Sequence, residues 1–224
     1  MKRFFLMIIP ALICGVAFTN CDSSNEVENV NRIVSHEVKN VNSDDIATVQ
    51  VKVSYSRMRS ENQWQWETYY YKEYEIADFA KYENGSLKLN LSATIPDEYL
   101  YSNSEKVWPL HGYNFSEGVI VSDIEAKTNR IVILTALSSA GESVGDFYLG
   151  NDNNYRAEYI YADRDFTEKG ISESGHTLGV EFDCSYKKGW NIRYVSNLKY
   201  MTQKPLNEDF NWCFEPNKDP EICY

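Results

Sequence analysis

The chain has 224 residues and a formal net charge of −11, with 33 acidic side chains against 22 basic ones. It has no run of Lys and Arg after residue 3, so it lacks the clustered cations that nucleic acid or an anionic membrane surface requires. Seventeen tyrosines and five tryptophans point instead to a β-rich fold, because aromatic side chains suit a pleated surface.

The first element is a leader. Lys2 and Arg3 precede an apolar run from Phe4 to Phe18 that contains Pro10 and Gly15. The run is short for a bilayer span and has no basic flank after it, so it reads as a secretory signal. Cys21 closes the run, and Asp22, Ser23, Ser24 and Asn25 follow as a solvated stretch. This arrangement resembles a bacterial lipoprotein signal. Phe18, Thr19 and Asn20 depart from the usual Leu, small residue, then Gly or Ala, and are similar to the looser signals of Bacteroidota-type lipoproteins. The resemblance implies that residues 1–20 are removed and that Cys21 is lipidated. It also implies that the protein is held at the outer membrane through several acyl chains, each buried methylene contributing about 0.8 kcal/mol. The acidic stretch after the cysteine resembles a surface-export signal, which would place the protein on the cell surface. Ordinary secretion, with a cut after Ala17 or Thr19, would leave Cys21 a free thiol. Loss of Lys2 and Arg3 takes the 22 basic residues to 20 and the net charge from −11 to −13.

Residues 21–45 contain no aromatic side chain and few apolar ones, and are expected to form a flexible tether. A single β domain is expected over 46–200. In "ATVQVKVSY" the residues Ala47, Val49, Val51, Val53 and Tyr55 alternate with polar ones, which predicts a half-buried strand. "SLKLNL" repeats the pattern with Leu87, Leu89 and Leu91 after an Asn84-Gly85 turn signal. A short helix fits 96–101, and the long segment 92–117 reads as an excursion from the domain. "GVIVSDIEA" and "RIVILTAL" predict a hairpin around Lys127-Thr128-Asn129, and strands at 144–149 and 155–162 flank the turn-rich "GNDNN".

A final hairpin is expected to carry Leu178, Val180, Phe182, Cys184 and Tyr186 on one face of its first strand. Its return strand would carry Trp190, Ile192, Tyr194, Leu198 and Tyr200 on one face, with Trp190 in the core. Residues 201–224 read as a C-terminal tail. About nine strands with little helix predict an all-β antiparallel sandwich, the alternative being a closed calycin-like barrel.

The order "YENGSLKLNL", "GDFYLG", "YIYADRDFTEKG" and "KKGW" resembles a group of Bacteroidota-type surface lipoproteins with β-sandwich or barrel domains. The likeness covers roughly residues 67–195 and carries over no catalytic residue.

Candidate chemistry is sparse. With Cys21 lipidated, Cys184, Cys213 and Cys223 remain. Cys184 falls on an apolar strand face, where a free cysteine packs as a small hydrophobe. Cys213 and Cys223 flank "FEPNKDPEI", and a disulfide between them would pin the tail by about 2–3 kcal/mol; the rival pairs Cys184 with a tail cysteine. "GESVG" at 141–145 matches a nucleophile elbow formally, with Ser143, Asp163 or Asp165, and His176 in the hydrolase order. Strand-like sequence follows it where the elbow needs a helix, so a hairpin turn is the expectation. His36, His111 and His176 are isolated, and no metal site or cofactor is expected.

The remaining signal is aromatic. "WQWETYYYKEY" places Trp66, Tyr70 and Tyr74 on one strand face, and the excursion adds Tyr99, Tyr101, Trp108, Tyr113 and Phe115. Trp64, Trp66, Trp108 and Tyr113 are the candidate ligand-binding residues, since exposed rings stack on sugars and anchor protein interfaces. The leading expectation is a non-enzymatic, surface-anchored binding protein for glycan or protein. The alternatives are a structural component of a cell-envelope complex, and a hydrolase using Ser143.

Overall fold

A computed structural model of the chain describes residues 32–39, 41, 45–59, 68–103, 118–151, 155–173, 178–196 and 198–217, all within the compact unit that spans 31–224. Of the described residues 59% are in strands and 3% in helix, so the all-β class holds. The strands are β1 (Ile33–Lys39), β2 (Thr48–Gln50), β3 (Lys52–Arg59), β4 (Thr68–Glu75), β5 (Ala80–Glu83), β6 (Ser86–Asn90), β7 (Tyr101–Ser102), β8 (Val119–Val121) and β9 (Lys127–Ile131). They continue with β10 (Ile133–Leu137), β11 (Ser143–Gly150), β12 (Arg156–Ala162), β13 (Phe166–Ile171), β14 (Glu181–Tyr186), β15 (Gly189–Val195), β16 (Lys199–Met201) and β17 (Asn211–Pro216). Seventeen described strands replace the expected nine, because several predicted strands break where their hydrogen-bond partner changes. Fifteen join one mixed sheet, and β3 and β4 form a separate two-stranded ribbon. The sheet is not closed, which fits an open sandwich rather than the barrel alternative. Among the described residues no helix is long and apolar enough to cross a membrane.

One leaf of the sheet runs β5-β6-β1-β17-β11-β10-β2. The expected Asn84-Gly85 turn joins β5 to β6, and both residues sit at positive φ (51° and 78°), as a two-residue hairpin requires. Leu87 and Leu89 are fully buried beyond it. Two strands of this leaf correct the expected boundaries. β1 lies inside the stretch read as a tether, and pairs with β6 on one side and, in parallel, with β17 on the other. β17 lies inside the stretch read as a tail, yet pairs with both β1 and β11 and buries Trp212. Neither shows a clean period-two alternation: β1 mixes Ile33, Val34 and Val38 with His36, Glu37 and Lys39, and β17 runs Trp212, Cys213 and Phe214 together.

β9 and β10 are almost one strand, broken at Val132, and this strand passes between leaves. β9 pairs with β12 while β10 pairs with β11. The hairpin expected between β8 and β9 is absent from the described pairings. β8 pairs with β13 instead, and Lys127, Thr128 and Asn129 lie within β9. The β11–β12 hairpin does form at the expected place, with the Asn151 side chain accepting from the Tyr155 N–H. The expected helix at 96–101 is a single 3-10 turn, Asp97–Tyr99.

β12 is buried on both faces. Ala157 and Tyr159 join a first core with Val49, Val51, Val53, Phe79, Leu87, Leu89, Phe147 and Trp212. Ile160 and Ala162 join a second core with Phe166, Cys184 and Tyr186. The second core exists because β14, β13 and β8 curl over the far face of β12 and β15. Val180, Phe182, Cys184 and Tyr186 are buried as expected, but Leu178 is exposed. On the return, Trp190, Ile192 and Tyr194 face the first core while Tyr200 packs on the second and Leu198 is exposed, so the single expected face is split.

The first core keeps three buried polar atoms without a hydrogen-bond partner: His36 Nε2, Tyr82 Oη and Trp212 Nε1. Burial lowers the pKa of His36 from its usual 6.5. The unfolded chain therefore takes up this proton at a higher pH than the folded one, and stability is lost as pH falls below the unfolded value. The urea midpoint should fall between about pH 7.5 and 5.5, and the fall should shrink in His36→Leu; an unchanged slope in that variant would show that His36 does not drive it.

Candidate functional site

β14 and β15 are consecutive in the chain but do not pair with each other among the described residues. β16 lies between them, parallel to β14 through Glu181↔Lys199, Phe182↔Tyr200 and Asp183↔Met201, and antiparallel to β15 through Tyr194↔Met201. This corrects the expected final hairpin. β16 is only three residues long, so the seam between β14 and β15 is filled at one end and open at the other. Thr202 ends the filled part: its N–H donates to the Asp183 carbonyl, and its Oγ1 accepts from the Ser185 N–H at 2.9 Å.

The open part is a groove of about 380 Å³ lined by Lys169, Asp183, Ser185, Asn191, Ile192, Thr202 and Gln203. That volume lies at the small end of the ~300–1,000 Å³ usual for ligand pockets. Its closed end is rigid. Asn191 Oδ1 accepts from the Lys187 N–H at 2.8 Å, and its Nδ2 donates to the Lys187 and Gly189 carbonyls at 2.7 and 2.9 Å. Asp165 holds the same turn through the Lys188 N–H and the Lys187 ammonium.

One wall carries a ladder of ion pairs. Lys169 pairs with Asp183 directly across β13 and β14, and Lys199 bonds Glu181 at 2.8 Å and lies 4.0 Å from Asp183. The Lys169 hydrogen bond holds the Asp183 carboxyl below its ordinary value, and the Glu181 hydrogen bond raises Lys199. The Ser185 hydroxyl and the Gln203 amide have no partner among the described residues, and the Thr202 hydroxyl has its proton left to donate. These groups were not visible in the sequence as a site. The alternation along β14 places Asp183 and Ser185 outward, but nothing in it shows that a third strand would hold the hairpin apart.

Behind β14, facing the other way, a chain of polar groups crosses the second core. Glu158 on β12 and Arg193 on β15 are cross-strand partners, both 4% exposed. Arg193 donates to Glu158 Oε1 through Nε and Nη2 at 3.1 and 2.8 Å, and Arg130 Nη1 donates to Oε2 at 3.1 Å. Arg193 Nη1 also reaches the Tyr186 hydroxyl at 3.4 Å, and that hydroxyl donates to Glu168 Oε2 at 3.0 Å. Burial works to raise Glu158, but the two guanidiniums hold its carboxyl below the ordinary value. At Glu168 burial wins and the carboxyl is pushed up. Burial and the nearby Glu168 raise the Cys184 thiol to about 11, so this fully buried sulfur packs as the expected small hydrophobe and is a poor nucleophile. Largely buried, the network acts on packing: it ties the curled β13–β14 layer to β12 and β15.

None of the sequence-predicted site residues that the structure describes lines the groove. Cys21, Trp64, Trp66, Trp108, Tyr113 and Cys223 lie outside the described residues. Cys213 carries a free, half-buried thiol that donates to the Asn211 carbonyl. Cys184 is also free, so the described structure contains no Cys184–Cys213 bridge. Tyr99 and Tyr101, expected on an aromatic surface, cap the root of the β3–β4 ribbon. Tyr101 is buried and stacks on Tyr55 at 4.8 Å, and Lys72 Nζ lies 4.3 Å from the Tyr99 ring and 5.0 Å from the Tyr55 ring. Trp190 is half-buried, packs on Phe79 and donates to the Ala93 carbonyl at 2.7 Å.

Ser143 opens β11 after a turn closed by the Ser138 N–H and the Glu142 carbonyl. Its Oγ lies 3.1 Å from the Asn217 amide. Gly145 is required there by contact, since a Cβ would meet the Phe214 ring at 2.6 Å. This is the hairpin turn expected in place of an elbow. Among the described residues no three His, Cys, Asp or Glu side chains gather as a metal site.

Removing one partner of a buried ion pair leaves the other charge uncompensated. Glu158→Ala should therefore lower the unfolding free energy by about 3–5 kcal/mol in urea denaturation. The double variant Glu158→Leu, Arg193→Met should lose much less than the two single variants together. Additive losses would mean that the two groups do not act as a pair.

No family model matches the chain, and no curated protein and no solved structure matches it either.

Proposed function

We propose that this chain is an exported, lipid-anchored binding module that holds a glycan or protein at the outer surface of the cell without catalysing a reaction on it. The observation that carries the binding part is the groove at the open end of the β14–β15 seam. It is held rigid at its closed end, its size suits a ligand, and several of its hydrogen-bonding groups are uncommitted. The anchoring part rests on Cys21, which stands where the apolar leader gives way to Asp22-Ser23-Ser24-Asn25. A pre-formed site on packed strands favours binding with little loss of conformational freedom. Trp64, Trp66, Trp108 and Tyr113 remain candidate contacts for a larger partner, because tryptophan and tyrosine carry much of the binding energy at such interfaces.

Anchoring is tested by cell fractionation. The wild-type protein should sediment with membranes and begin at Cys21 by mass spectrometry, whereas Cys21→Ser should be soluble. A soluble wild-type protein, or one that retains residues before Cys21, would overturn the lipid anchor.

Binding is tested with the full mature chain in detergent, presented to a glycan array and to cross-linking on envelope preparations. Capture should fall at least about tenfold in Ser185→Ala, Gln203→Ala, which corresponds to roughly 1.4 kcal/mol, with the melting temperature unchanged. Capture that is indifferent to the groove would move the site elsewhere, and no capture from either class would end the binding reading.

A further inference from the structure

We infer that the groove takes a neutral saccharide, recognised through its hydroxyl groups; this rests on the groove being the binding site. Charge supplies the first argument. Lys169 is neutralised by Asp183, and Lys199 by Glu181 with Asp183 nearby. The wall is balanced and each ion already has its partner. An anionic ligand would have to compete with Asp183 for Lys169, and a cationic ligand with Lys169 for Asp183. A neutral ligand uses the remaining hydrogen-bond sites and leaves the pairs intact.

The kind of free group supplies the second argument. The Ser185 hydroxyl donates and accepts, the Gln203 amide offers both a carbonyl and an NH₂, and the Thr202 hydroxyl has a proton to give while its oxygen holds the Ser185 N–H. The Lys169 ammonium has donors beyond the one spent on Asp183. Donors and acceptors are interspersed on one small wall, and the ligand group that complements both at every position is the hydroxyl. Ile192 is the apolar residue of the lining, half-buried where it also packs on the first core, and the part of it that meets the groove suits the C–H face of a sugar ring.

A peptide strand fits less well. The ladder position at Ser185 is already filled by Thr202, and Asn191 closes the turn end of the seam.

The test uses the full mature chain in detergent, with ¹⁵N signals of the Gln203 side chain read during titration. The probes are maltotriose, mannotriose and galactotriose, with trigalacturonate as the acidic counterpart and an extended Ala-Ser peptide as the protein counterpart. At least one neutral trisaccharide should shift the Gln203 signals, and should bind at least about tenfold more tightly than trigalacturonate. Ser185→Ala, which removes a hydroxyl without a partner among the described residues, should weaken that binding about tenfold without changing the melting temperature. Asp183→Asn frees Lys169, so it should raise the affinity for trigalacturonate about tenfold. If trigalacturonate or the peptide binds the wild-type groove as tightly as the neutral sugars, the saccharide inference fails while the groove stands as a binding site. If no probe shifts Gln203, both fall.

Discussion

The arrangement depends on β12, a strand buried on both faces. A strand in that position has no side that can tolerate a solvated charge, yet Glu158 lies in its middle. The charge is acceptable because the register sets Arg193 directly across from it and Arg130 diagonally, so both carboxylate oxygens receive guanidinium donors. The same register delivers Arg193 toward Tyr186 and Glu168, which belong to the overlying layer. Slipping β15 by one residue would turn Arg193 to the first core and leave Glu158 with Arg130 as its one guanidinium partner. The network thus specifies register as well as joining layers.

The two faces of the curled layer have opposite chemistry for a simple reason. Along β13 and β14 one set of alternate residues packs against β12 and the other meets water. Inward lie Phe166, Glu168, Phe182, Cys184 and Tyr186; outward lie Lys169, Asp183 and Ser185. The outward ion pairs are exposed and screened, so they add little to stability. What they do is keep the rim of the groove polar and neutral while β16 holds β14 and β15 apart.

Much of the local structure was legible in the sequence. The alternation of Val49, Val51 and Val53, the Asn84-Gly85 hairpin, the strands on either side of Asn151, and the burial of Phe182, Cys184 and Tyr186 all follow from period-two patterning and turn chemistry. Failures occurred where pairing is non-local. β1 and β17 have weak apolar patterns and take their place from neighbours distant in the chain. The split of the last hairpin depends on β16, three residues whose own sequence gives no sign of which strands they will separate. The groove was invisible for the same reason, since its lining comes from four strand regions that only the completed sheet brings together. Tyr99 and Tyr101 were visible as aromatics, but the sequence did not show that they would close over the root of a ribbon.

The parallel pairing of β1 with β17 has a consequence for how the chain reaches its native state. These strands come from opposite ends of the described chain and lie side by side within one leaf, Val38 beside Trp212. Until the last strand is available, β1 has a bare edge, β11 lacks one neighbour, and the first core lacks the Trp212 indole. Contacts this distant in sequence carry a large closure entropy and form slowly. A partly synthesised chain therefore lacks the strand that completes this leaf. Assembly of this leaf is deferred until β17 is in place.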